Sequence, residues 1–148
     1  LKGDGFDFTV GIDPMTPITL ADRVVSAGKG IGSKDNMKLI EALAYQAGAA
    51  VGSSRPVAET LKYLPLDRYV GMSGQKFTGN LYIACGISGA GQHLKGIKDA
   101  TTIVAINKNK RKAPHLGCLK IYYNHITGNY CKTMHQYLKM LTTASWEI

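Results

Sequence analysis

The sequence is short of acidic residues, cysteine and tryptophan: 10 Asp and Glu stand against 18 Lys and Arg, with three Cys and one Trp in 148 residues. It also has no apolar run approaching the roughly 20 residues that cross a bilayer, and its opening, LKGDGFDFTV, lacks the basic-then-apolar order of an export signal. A soluble chain is expected. Cys85, Cys118 and Cys131 are odd in number and form no CxxC pair, so neither a disulfide framework nor a structural zinc site is expected, and a reducing compartment fits. His93, His115, His125 and His135 have no metal-ligand spacing. G-x-S-x-G, G-x-x-x-x-G-K-[ST] and G-x-G-x-x-G are all missing, and no paired carboxylates stand near a glycine turn. Those gaps remove the serine-hydrolase elbow, the phosphate loop of nucleotide triphosphatases and the standard dinucleotide fingerprint. No catalytic constellation and no metal site are expected, so a bound cofactor would have to carry any redox chemistry.

What is present suits one packed domain: apolar residues make up 45% and charged residues 19%, which excludes a disordered polyelectrolyte. The net charge is +8, but it is unevenly spread. Residues 1–107 carry 11 basic and 9 acidic side chains, whereas residues 108–148 carry 7 and 1. The basic cluster Lys108, Lys110, Arg111 and Lys112 has no interleaved aromatics, so a solvated loop is favoured over a nucleic-acid patch. No nucleic-acid partner is expected, and salt-dependent DNA binding through residues 108–112 is the competing outcome.

Residues 1–20 hold Gly3, Gly5, Pro14 and Pro17 around a short strand candidate, FDFTV, and read as a linker or arm entering a domain at 21–148. From residue 21 strands alternate with helices. RVVSA at 23–27 is a strand ending in the turn Gly28-Lys29-Gly30-Ile31-Gly32, where large side chains would obstruct. A helix follows, capped by Ser33 or Asp35, with Ile40, Leu43, Ala44 and Ala47 on one face and Gly48 as its stop. AAVG at 49–52 is a buried strand, SSRP the next turn, and Pro56 suits the first turn of a short helix running towards Leu64. Pro65 breaks that helix, and the loop VGMSGQKFTGN leads to the apolar strand LYIAC at 81–85. After the turn GISGAGQH comes a short helical stretch, then the strand TTIVAI at 101–106. KIYYNHIT reads as a strand, and Tyr130 to Leu141 as a helix. The alternation predicts an α/β fold: a doubly wound, mostly parallel sheet with helices on both faces, Rossmann-like in its layering.

In such a sheet, ligands bind outside the carboxyl ends of the strands, where GKGIG, SSRP, GISGAGQH and INK all fall. Glycine lets a backbone approach phosphate oxygens, and helix N-termini offer unpaired N–H groups, so a nucleotide suits this rim. Lys29, Arg55 and His93 bring possible positive charge there, and Ser54, Ser73, Ser88, Gln92 and Asn107 bring hydrogen-bonding groups.

GKGIGSKDNMKLIEALA, AAVGSSRPVAE, DRYVGMSGQKF, LYIACGISGAGQHLKGIKD and TIVAINK, taken in this order and spacing, closely resemble the FAD-binding C-terminal domain of the electron-transfer flavoprotein alpha subunit. The resemblance covers Arg23 to Lys108, and GISGAGQH followed by AINK is its most specific part. It implies FAD as cofactor. It implies that Ser54 and Arg55 form the flavin-contacting pair, that Val70, Gly71, Met72 and Ser73 lie beside the isoalloxazine ring, and that the Ser73 hydroxyl takes the place that reaches flavin N5. Ser88, Gly89, Ala90, Gly91, Gln92 and His93 match the segment wrapping the FAD chain, with His93 near the pyrimidine end, and Asn107 matches a nucleotide contact. Lys29 stands where the family usually has Arg and keeps only the charge for a phosphate, while Met72 and Gln75 replace a customary Gln and Lys. Arg55 and His93 would stabilise negative charge on a reduced flavin. Beyond Lys108 the match degrades, because HLGCLKIYYNH replaces a shorter link and brings no aspartate.

The implied function is that of an electron carrier and not a substrate-turning enzyme. Its expected partners are an electron-transfer flavoprotein beta subunit, a donor dehydrogenase and an acceptor oxidoreductase, in the bacterial cytoplasm or the mitochondrial matrix. A regulatory module binding NAD or AMP without electron transfer is the alternative.

Overall fold

The structure, a computed structural model, describes residues 13–107 and 119–120. FDFTV, the 108–112 cluster, KIYYNHIT beyond Lys120, the helix expected at 130–141, Cys118, Cys131 and the three later histidines lie outside the described residues. The elements are β1 (Arg23–Ala27), α1 (Met37–Ala47), β2 (Ala50–Ser53), α2 (Arg55–Glu59), β3 (Leu81–Cys85), α3 (Gly91–Leu94), β4 (Thr102–Ile106) and the two-residue β5 (Leu119–Lys120). All pairings are parallel, in the order β2-β1-β3-β4-β5.

Both faces of this sheet are covered, which is why its strands are apolar without alternation. On one face Val25, Val51, Ile83 and Val104 meet Ile40, Leu43 and Ala44 of α1. On the other Val24, Ala50, Tyr82 and Ile103 meet Ile18, Val70, Phe77, Ile87 and Ile97. Each buried Val, Leu, Ile or Phe adds about 1.5–3 kcal/mol by leaving water. The second face carries mostly turns and loops, with the four-residue α3 among them.

Helix α1 begins later than its sequence signals suggest. A 3-10 turn at Lys34–Asn36 precedes it, neither Ser33 nor Asn36 bonds as a side-chain cap, and Asn36 Nδ2 instead donates to Ile31 O at 2.6 Å. Its end is as read: Gly48 takes the left-handed conformation (φ 62°, ψ 45°), and Arg23 Nη1 satisfies the Ala47 carbonyl at 2.9 Å. Helix α2 stops at Glu59, before Leu64 is reached, because the chain turns at 60–65 to bring Tyr63 and Leu64 onto the first core.

Of the stretch read as an arm, residues 13–20 are described, and they are packed onto the domain. Ile18 is buried in the second core, and the Pro14 carbonyl accepts from Val51 N–H at 2.9 Å along the outer edge of β2. Arg68 fastens this segment. Its buried guanidinium donates to the carbonyls of Pro14 (3.2 Å), Met15 (3.0 Å), Thr16 (2.9 Å) and Val51 (3.0 and 2.8 Å). Desolvation lowers its pKa, and the charges of Asp67 and Asp13 partly oppose that. No helix among the described residues is long and apolar enough to cross a membrane.

Candidate functional site

The sheet order places β2 on one side of β1 and β3 on the other, so the chain changes direction across the sheet at the β1/β3 boundary. In open parallel sheets the crevice beyond that boundary is where ligands bind. Here it is framed by two glycine turns in backbone contact. Gly28 N–H donates to Cys85 O at 2.8 Å, and Gly30 N–H donates to Gly86 O at 3.0 Å. A Cβ on Gly28 would lie 2.3 Å from Gly86 O, and one on Gly30 would lie 2.8 Å from Gly86 Cα. These glycines are needed for one turn to rest on the other, which shapes the crevice floor.

Above the turns lies a cleft of about 570 Å³. It gathers Lys29, Ser54, Arg55, Val70, Gly71, Met72, Ser73, Ser88, Ala90, Gln92, His93 and Asn107 from the sequence-derived set. Gly89 and Gly91 are not on its wall; Gly89 has φ 78° and shapes the loop, and Gly91 opens α3. Sequence reasoning passed over Tyr69, Pro56 and Ile87, which also line the cleft. Pro56 signals a helix start in the sequence, and Ile87 sits within GISGAGQH. An aromatic immediately before VGMSG was the signal available for Tyr69.

The loop at 69–76 is held before any ligand arrives. Val70 N–H bonds Ser53 O at 2.9 Å, which carries the line of β2 into the loop, and Met72 N–H bonds Gln92 O at 2.7 Å. Lys76 Nζ donates to the carbonyls of Gly71 and Met72, both at 2.6 Å. Tyr69 Oη donates to Ser73 O at 3.0 Å and lies 3.2 Å from Ser73 Oγ. Asn107, buried at the end of β4, donates to the Ile87 carbonyl at 2.9 Å and so braces the turn after β3.

Charge is distributed differently from the sequence expectation. Arg55 is exposed at the start of α2, where its Nε and Nη2 bond the Glu59 carboxylate at 2.6 and 3.1 Å. That hydrogen bond and charge hold the guanidinium pKa above, and the carboxyl pKa below, their ordinary values. His93, in contrast, is buried, and burial pulls its pKa down to about 4 against a weaker opposing pull from the Val70 carbonyl. It is neutral at pH 7. The fixed positive charge on this wall therefore comes from Lys29 and Arg55, and His93 offers hydrogen bonding instead. Its Nε2 lies 2.9 Å from Tyr82 Oη, while Nδ1 is buried with no hydrogen bond of good geometry. Cys85, at the end of β3, is buried and its thiol is pushed up to about 12, so it takes no part as a thiolate.

A family model described as the electron transfer flavoprotein FAD-binding domain matches residues 17–98. The chain is 52% identical over 93 residues to an electron transfer flavoprotein subunit alpha of Paracoccus denitrificans, covering 63% of the chain and 30% of that protein. It is 46% identical over 99 residues to the subunit alpha of Mycobacterium leprae, covering 67% of the chain and 31% of that protein. A protein FixB of Salmonella typhi is 53% identical over 90 residues, covering 61% and 29%. The matched region is thus about 30% of the length of these relatives. The family model starts ahead of Arg23 and ends at residue 98, so it includes GISGAGQH but stops short of TIVAINK and Asn107. With more than half its residues matched, and its cleft at the strand ends where a parallel sheet binds nucleotides, the chain belongs to the family of electron transfer flavoprotein FAD-binding domains.

Proposed function

We propose that the cleft at the β1/β3 strand ends holds FAD and that the chain serves as the flavin-carrying part of an electron carrier. The observation that carries this reading is the convergence of Lys29, Arg55, His93 and the turns at 69–73 and 86–92 on one cleft of about 570 Å³, within the roughly 300–1,000 Å³ common for small-molecule sites. The residues fit the group. Lys29 and Arg55 offer cations to phosphates or to an electron-rich ring, and Val70 and Ile87 offer apolar wall. His93 Nδ1 is a buried polar atom with no hydrogen bond of good geometry, which a ligand group would improve on. Lys29, Ser54, Arg55, Val70 to Ser73, Ser88, Ala90, Gln92, His93 and Asn107 are the residues that would hold the cofactor, with Gly89 and Gly91 shaping the loop.

When bound, FAD supplies reversible electron uptake that amide, hydroxyl and guanidinium groups do not. The chain's residues set the conditions for it. Arg55 places a positive charge at the cleft, which favours added negative charge on whatever lies there, and more so once water is displaced. Glu59 competes for the same guanidinium, so Arg55 must loosen that pair to turn fully towards a ligand. Lys76 and Tyr69 keep the 69–73 loop in place and spare its ordering cost on binding.

The wider role follows the family: electrons come from a donor dehydrogenase and pass to an acceptor oxidoreductase, with an electron-transfer flavoprotein beta subunit beside this chain. The setting is the bacterial cytoplasm or the mitochondrial matrix. Titration of the chain with FAD, NAD and AMP, followed by calorimetry and flavin fluorescence, tests the reading. FAD is expected to bind most tightly, and Arg55→Ala to weaken it roughly tenfold or more, as loss of a charge-assisted contact does. Equal or tighter binding of NAD or AMP would instead mark a regulatory nucleotide module.

A further inference from the structure

We infer that Tyr82 is a positioning residue for His93: its buried hydroxyl donates to His93 Nε2 and so fixes the ring in the Nδ1–H form, a hydrogen-bond donor for a carbonyl-type acceptor of the ligand. The pairing stands on the ligand-free geometry, and its use by a flavin carbonyl rests on the reading above. Tyr82 is the second residue of β3 and His93 lies in α3, so the contact joins the sheet to the segment that walls the cleft. Both side chains are buried, their polar atoms 2.9 Å apart and their rings tilted at 56° with centroids 5.8 Å apart. Phe77 packs against the other ring in turn, 5.5 Å from Tyr82 between centroids.

Two proton placements satisfy the contact, and they are not equivalent. If His93 Nε2–H donated, Nδ1 would keep a bare lone pair in the neighbourhood of the Val70 carbonyl, acceptor facing acceptor. The Tyr82 proton would then also need an acceptor, and the nearby Ser26 hydroxyl forms no hydrogen bond of good geometry with it. If Tyr82 donates, its proton is used, Nε2 is satisfied, and Nδ1–H faces the Val70 carbonyl as donor to acceptor, short of good hydrogen-bond geometry, on a ring that lines the cleft. Burial keeps Tyr82 protonated, since its pKa is pushed well above the ordinary value, and keeps His93 neutral. A buried donor held only by that poorly aligned carbonyl gains from a better aligned ligand acceptor, an advantage that a second donor would not have.

The test is long-range proton–nitrogen NMR of the full 148-residue chain, ligand-free, with ¹⁵N-labelled histidine and His93→Gln to assign the ring. The expected spectrum at pH 7 shows His93 with a protonated Nδ1 and a hydrogen-bonded, unprotonated Nε2. A protonated Nε2 would overturn the inference. Tyr82→Phe keeps the packing ring, and it should move His93 towards the Nε2–H form and weaken FAD roughly three- to tenfold, the worth of one hydrogen bond. An unchanged tautomer in that variant would show that Tyr82 does not set it. If Tyr82→Phe fails to fold, the wild-type tautomer alone decides. If the wild type has the Nδ1–H form yet binds no FAD, the flavin reading falls and the Tyr82–His93 assignment is upheld.

Discussion

Gly28→Ala is expected to lower the melting temperature by about 6 °C or more, or to prevent folding. The methyl group would sit 2.3 Å from Gly86 O and 2.7 Å from Gly86 C and Ile87 Cα. All three are backbone atoms. A flexible side chain could swing away, but here the β3 turn itself would have to retreat, and that turn is held by Gly86 N–H to Ile106 O at 2.8 Å and by its bonds from Gly28 and Gly30. Overpacking a core commonly costs about 1–3 kcal/mol, and a clash with fixed backbone stands at the top of that range or above. With about 2–4 °C lost per kcal/mol in a chain near 150 residues, the melting point should still drop plainly in a calorimetric scan. Gly91→Ala is the control, because a Cβ there meets nothing within 4 Å. It should melt within a few degrees of wild type, and equal effects of the two substitutions would remove the packing explanation.

Arg68→Ala is the second large effect, expected at about 3 kcal/mol or more, because buried carbonyls left without a donor cost about 1–3 kcal/mol each. Four carbonyls, those of Pro14, Met15, Thr16 and Val51, would lose the guanidinium at once, and of these Pro14 would keep the Val51 N–H. Arg68→Lys should recover only part, since a single ammonium cannot span a fork that reaches both the β2 edge and the 14–16 turn. Urea unfolding gives the size of the loss, and limited proteolysis should reveal earlier cleavage near residues 14–20 in the alanine variant. A loss below about 1 kcal/mol would mean that water replaces the guanidinium at little cost.

Much of this fold was legible because strand and turn signals coincide. RVVSA and LYIAC are strands to the residue, and each is followed by glycines that no side chain could replace. Twelve of the fourteen sequence-derived site residues share one cleft because a parallel sheet delivers its strand-end turns to one rim. Arg68 was illegible for a physical reason: an arginine in a polar loop reads as solvated, and only the return of residues 14–16 over β2 creates the carbonyl shell that buries it. The same return packs residues 14–18 against β2 and the second core, although Pro14 and Pro17 look like linker punctuation. His93 read as a cation because its type allows it, whereas its protonation depends on burial by partners distant in sequence, Tyr82 and Val70.

The most direct test of the central claim is where FAD touches the chain. Backbone amide NMR spectra of the ¹⁵N-labelled chain should shift on adding FAD at Lys29, at Ser54 and Arg55, through 70–73 and 88–93, and at Asn107, while amides of α1 such as Leu43, on the far side of the first core, stay in place. Shifts confined to other surfaces, or none at FAD concentrations that saturate a weak site, would contradict the assignment of this cleft to the flavin.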